Sequence, residues 1–90
     1  MRAFIWNSEG FRDTAKHIRV QESVREHKLD IVALLETGRS NFHSHFLRSL
    51  VLGRDFSWFC LPPRGRSGGI LVGVNSETLC VKNVDSETFV

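Results

Sequence analysis

Three things are scarce in this sequence, and each scarcity removes a class of explanation. Cysteine occurs twice in 90 residues, as Cys60 and Cys80. Both lie inside apolar runs, where cysteine commonly behaves as a small hydrophobe. A disulfide scaffold needs denser cysteines in a secretory setting, and zinc needs more ligands at tighter spacing. A reducing, intracellular setting, nuclear or cytoplasmic, is therefore expected. Long apolar runs are missing as well. The longest falls far short of the roughly 18 residues of a transmembrane helix. The N-terminus enters a strand pattern directly, without the layout of a signal peptide. The third scarcity is excess charge of one sign: 12 basic and 10 acidic residues are interspersed and leave a net charge of +2. Charge alone gives no argument for nucleic-acid binding.

What remains is ordinary globular material. Hydrophobic residues make up 41% and charged residues 24%, near the average for folded domains, so disorder is not indicated. The length suits one small domain that buries a modest share of its surface. No repeat, low-complexity tract or linker interrupts it.

Residues 2–7 (RAFIWN) are aromatic and branched and close on the turn-forming SEG, which predicts a strand. The period then changes. Over residues 11–28, Phe11, Ala15, Ile18 and Val24 fall roughly on one helical face, with Asp13 as N-cap. Residues 31–36 are apolar until Glu36, the pattern of a strand buried on both faces. A second amphipathic helix is predicted over residues 41–52, using Phe42, Phe46, Leu47, Leu50 and Val51, with Gly53 as its stop. Strands follow at 56–61, 70–75 and 78–84, the last two joined by a tight turn at Ser76-Glu77. The PPRGRSGG loop separates the first two, and a further strand opens at residues 86–90. The order β-α-β-α-β-β-β implies a mixed sheet with helices laid on one face, an α/β (α+β) fold. One tension stands out: strand 31–36 expects cover on both faces, and this chain supplies a single helical layer.

Two strands end alike. FIWNSEG passes from apolar residues to Asn7, Ser8 and Glu9, and IVALLETG passes to Glu36 and Thr37. If both strands finish on one rim, Asn7 and Glu36 share a polar pocket. There a carboxylate suits a hard divalent cation, and Mg²⁺ needs only one or two protein carboxylates beside substrate phosphate. The simpler reading makes Asn7 a turn starter and Glu36 a cap. The four histidines form no ligand set: His43 and His45 are two apart, and His17 and His27 lie too far apart along one helix. All four are expected at the surface. Ser67 lies in RSGG and not in a nucleophile elbow. Arg64 and Arg66 have the fork geometry for phosphate, or are solvated loop charges. Gly68-Gly69 marks a strand start where backbone approaches something closely.

These pieces together resemble the endonuclease/exonuclease/phosphatase superfamily, and most nearly the N-terminal endonuclease region of plant LINE-type retrotransposon polyproteins. Three ordered blocks carry the resemblance along essentially the whole chain: FIWNSEG, like the family's W-N-x-x-G strand end; LDIVALLETG, with Leu29 where the family usually has proline; and FSWFCLPPRGRSGGILVGV, like its S-G-G before a hydrophobic strand. The resemblance implies that Asn7 helps bind the scissile phosphate and that Glu36 ligates a catalytic Mg²⁺, with Mn²⁺ as the other candidate ion. It implies phosphate or nucleic-acid contact by Arg64, Arg66 and Ser67. Glu9 stands where repair-type relatives have aspartate and plant retroelements have arginine, so no role transfers to it.

The implied fold is a four-layered α/β/β/α sandwich, and the implied partner is DNA, with no membrane. The family completes its site with an Asp-x-Asn pair, another Asp and an Asp-His pair, and the chain reaches Val90 without them. On this resemblance it corresponds to the N-terminal third to half of the domain and is expected to be inactive alone, with an uncovered sheet face inviting self-association. A phosphatase of the same superfamily and a non-catalytic remnant or interaction module are the alternatives.

Overall fold

Phe4 and Trp6 turn toward the protein interior while Ala3, Ile5 and Asn7 turn to solvent, so β1 (Ala3–Asn7) has one covered face and one open face. The same alternation runs through β2 (Ile31–Leu35), where Val32 and Leu34 are fully buried. The computed structural model describes residues 1–64 and 68–78. It adds α1 (Thr14–Glu26), α2 (Ser44–Leu50), β3 (Phe56–Leu61) and β4 (Ile70–Asn75). These six elements follow the expected order. Ser76 to Thr78 form the expected turn, and the strands anticipated beyond it lie outside the described residues.

The four strands form one mixed sheet in the order β1-β2-β4-β3. β1 and β2 are parallel, as the intervening α1 requires, while β4 runs antiparallel to both β2 and β3. The result is a small α+β domain. Both helices lie on one side. Phe11, Val20, Val24, Leu29, Leu50 and Val51 pack with Val32, Leu34 and Leu71 into one core, flanked by half-buried Phe42, Phe46 and Leu47. Each such buried aliphatic side chain contributes roughly 1.5–3 kcal/mol relative to exposure. Neither described helix covers the opposite face, where Ile5 is 68% exposed. No described helix is long and apolar enough to cross a membrane.

Both helices are shorter than their apolar patterns. In α1 the inward seam is His17, Val20 and Val24, while Ala15 is exposed and Ile18 is 46% exposed. The expected face through Ala15 and Ile18 is thus rotated, because Phe11 precedes the helix and reaches the core from a loop. Asp13 does occupy the N-cap, yet its side chain makes no capping bond; its carbonyl accepts from the Lys16 and His17 N–H groups. α2 starts after His43 because residues 36–43 form the loop that leaves β2. It stops as a Schellman turn, with Leu52 N–H donating to Ser49 O (3.2 Å) and Gly53 N–H to Arg48 O (2.9 Å). The residue just past the cap is Leu52 at φ 56°, a position usually given to glycine, and Gly53 follows at φ 77°.

At the sheet end remote from Asn7, two polar side chains hold three segments. Asn75 is buried; its Nδ2 donates to Leu29 O (3.3 Å) and its Oδ1 accepts from Glu77 N–H (2.9 Å). Asp30 accepts from the Arg2 backbone N–H (2.8 Å) and the Thr78 hydroxyl (2.6 Å). The Thr78 hydrogen bond first, and the Arg2 N–H second, hold the Asp30 carboxyl below its ordinary 3.8. A carboxyl lowered by folding stabilises the native state above its unfolded pKa, and that contribution disappears as pH falls through the folded value.

Two outcomes follow from this end of the sheet. Asn75→Ala leaves a buried carbonyl and an N–H without partners and should lower stability by about 1–3 kcal/mol in urea unfolding. Asp30→Asn should melt below the wild type at neutral pH. The gap in Tm should close as pH drops beneath 3.8.

Candidate functional site

The parallel pairing of β1 and β2 brings their C-terminal ends to one edge, and the antiparallel β4 begins there. Asn7 pairs with Leu35, and Leu35 with Ile70. The segments 8–11, 36–40 and 68–69 therefore meet on a single rim, as the two polar strand ends predict.

Backbone geometry at this rim is unusual. Glu9 (φ 50°) and Glu36 (φ 53°) are both left-handed, as are Gly10, Gly38 and Gly69. For residues with a Cβ this conformation costs roughly 1–2 kcal/mol. A lattice of hydrogen bonds holds it in place. Ser8 N–H donates to Leu35 O (2.9 Å), Gly10 N–H to Glu36 O (2.6 Å) and Phe11 N–H to Thr37 O (2.9 Å). From the other side, Thr37 N–H donates to Gly69 O (3.2 Å) and Gly38 N–H to Gly68 O (2.6 Å). The buried Ser8 hydroxyl adds a bond to Leu35 O (2.9 Å). Gly68 is required by this packing, since a Cβ there would lie 2.8 Å from Glu36 Cα. Gly69 combines φ +90° with Pro63 and Thr37 atoms 3.1 Å from any added Cβ. The two glycines thus supply the close backbone approach expected of them, and what they approach is Glu36 and Thr37.

Glu36 emerges from this lattice exposed, its carboxylate making no hydrogen bond or ion pair among the described residues. Asn7 is exposed on the adjacent strand. Its Oδ1 accepts from Glu9 N–H (3.2 Å), the turn-starting geometry of an Asx residue, while its amide nitrogen makes no bond among the described residues. Glu9 is exposed beside them. Arg64 is exposed at an isolated bridge position, and Arg66 and Ser67 lie outside the described residues. One free carboxylate and one amide match the hard oxygen donors that Mg²⁺ or Mn²⁺ accepts. Among the described residues, no three His, Cys, Asp or Glu side chains gather as a ligand group.

Three cations frame the rim that the strand pattern does not reveal. Lys16 Nζ donates to Ser8 O (2.6 Å), Gly10 O (3.0 Å) and Glu9 O (3.2 Å). Arg12 Nη2 reaches Gly38 O (3.2 Å), and Arg39 Nη1 reaches Phe11 O (3.4 Å) while its guanidinium lies over Phe42 and Phe46. One signal for Lys16 was available. A lysine in the first turn of a helix opposes the helix dipole, so it has some other reason to be there. His17 corrects the expectation of four surface histidines. It is half-buried, edge-on to Phe11 and Phe46 at 4.7 Å from each, while His27, His43 and His45 are exposed.

No family model matches this chain, and neither a curated protein nor a solved structure matches it.

Lys16→Met should free three carbonyls and loosen the 8–10 segment. The expected loss is about 1.5–3 kcal/mol, in line with hydrogen bonds to a charged donor. Faster amide exchange at Gly10 and Phe11, with Val32 and Leu34 unchanged, would locate the effect at the rim.

Proposed function

We propose that this rim is one corner of a divalent-metal phosphodiester-cleaving site of the endonuclease/exonuclease/phosphatase kind, within a four-layered sandwich and acting on DNA, in a chain of retroelement derivation. The observation that carries the reading is Glu36: a carboxylate unpaired among the described residues, on left-handed backbone wedged against Gly68 at a strand end. Strained residues held by their surroundings concentrate at functional sites. In this reading Glu36 holds Mg²⁺ or Mn²⁺, and Asn7 turns its amide nitrogen to a phosphate oxygen while Glu9 N–H fixes the amide's orientation. A bound divalent ion supplies charge stabilisation at the phosphoryl oxygens. Lys16, Arg12 and Arg39 keep the rim positive, which favours an approaching polyanion.

The chain's own contribution is limited to binding and orientation. Its 90 residues contain no Asp-x-Asn or Asp-His pair, so the family's water-activating histidine–carboxylate pair has no matching motif in them. The chain alone is inactive in this reading. A non-catalytic interaction module is the second reading, favoured by the open sheet face around Ile5.

Substoichiometric Mn²⁺ should broaden the amide resonances of Ser8 to Gly10 and Glu36 to Gly38 selectively, and Glu36→Gln should abolish the effect. Supercoiled plasmid should stay intact with the chain and Mg²⁺. Broadening centred elsewhere, or unchanged in Glu36→Gln, removes the metal corner and leaves the interaction module standing. Nicking lost in Glu36→Ala would instead overturn the inactivity of the chain.

A further inference from the structure

A second concavity lies away from the rim, between α2 and the edge strand β3. It is an open groove of about 400 Å³ lined by His45, Arg48, Arg54, Asp55, Phe56 and Trp58 among others. Neither Asn7 nor Glu36 borders it, so what it binds is independent of the rim.

Its wall is aromatic. Phe56 and Trp58 sit two apart on β3 and so share a face, with ring centroids 6.0 Å apart and planes 29° from parallel. The sheet makes room for this pair by omitting a side chain. Gly73 is paired with Trp58, and a Cβ on it would come within 2.6 Å of the indole. The indole therefore rests directly on β4 backbone, half-buried against the core, and lines the groove with what remains of its surface. The charge is mainly positive. Arg48 is exposed, and its side chain makes no hydrogen bond or ion pair among the described residues. Arg54 also lines the groove, and its Nη1 donates to Val24 O (3.3 Å) on α1. Asp55 is the one acidic residue in the lining, which also includes His45.

Stacked rings beside guanidinium groups match one ligand chemistry, an unpaired aromatic base carrying a phosphate. We infer that the α2–β3 groove binds a nucleotide, its base against Phe56 and Trp58 and its phosphate between Arg48 and Arg54. The nucleotide is either free or part of a single strand, and its volume suits the cavity.

The test titrates the whole chain with thymidine monophosphate and with a short 5′-phosphorylated oligothymidylate, in EDTA to silence the rim. The Trp58 indole N–H and the His45 to Trp58 amides are followed by NMR. Both ligands should shift these resonances, and Arg48→Glu, an exposed change that leaves the core intact, should weaken binding about tenfold. Equal affinities assign the groove to free nucleotides. A tighter, salt-sensitive oligonucleotide assigns it to single strands. The inference is overturned if neither ligand moves these signals, or if Arg48→Glu binds as the wild type does.

Discussion

Everything at the polar edge of this protein depends on the left-handed backbone at Glu36. With that residue turned, its carbonyl meets Gly10 N–H, and Thr37 and Gly38 present their N–H groups to Gly69 and Gly68. One conformational choice thus ties the loops after β1 and β2 to the start of β4. An ordinary extended residue would carry the chain straight past both neighbours. Each of these bonds is individually modest. Together they over-determine a conformation that a glutamate would not adopt unaided, and they leave its carboxylate in solvent.

The sheet is built asymmetrically around that edge. α1 connects parallel β1 and β2 across one face of the sheet, and Val20, Val24 and Leu50 fill the space beneath Val32, Leu34 and Leu71. The same helices leave the other face, with Ile5, to solvent among the described residues. At the far end Asn75 and Asp30 perform with side chains what the rim performs with backbone, satisfying chain ends that the sheet ladder cannot reach. The domain is therefore pinned at both ends of its strands and packed on one side.

The expected elements and their order match the six that are described, because strand and helix periods are local properties of the side chains. Their edges are less faithful. Residues 41–43 read as the first part of the second helix, yet they are needed to carry the chain from the rim to α2. The α1 seam shifted because Phe11 fills the core from outside the helix, and no periodicity can separate a helical Phe from a preceding one. Gly53 marked the end of α2 correctly, while the left-handed residue beside it is Leu52, which no propensity would nominate.

Alone, then, the sequence determined that polar residues close two apolar strands and that Asn7 and Glu36 are their final or next residues, since apolar runs and their interruptions are written in linear order. Tertiary structure decided the rest. Only parallel pairing places those ends together, only the approach of Gly68 explains why a glycine pair precedes β4, and only a folded loop shows Lys16 holding three carbonyls. The physical reason is range: side-chain periodicity is fixed within a few residues, whereas the rim is made of backbone groups that meet across as many as 32 positions of chain.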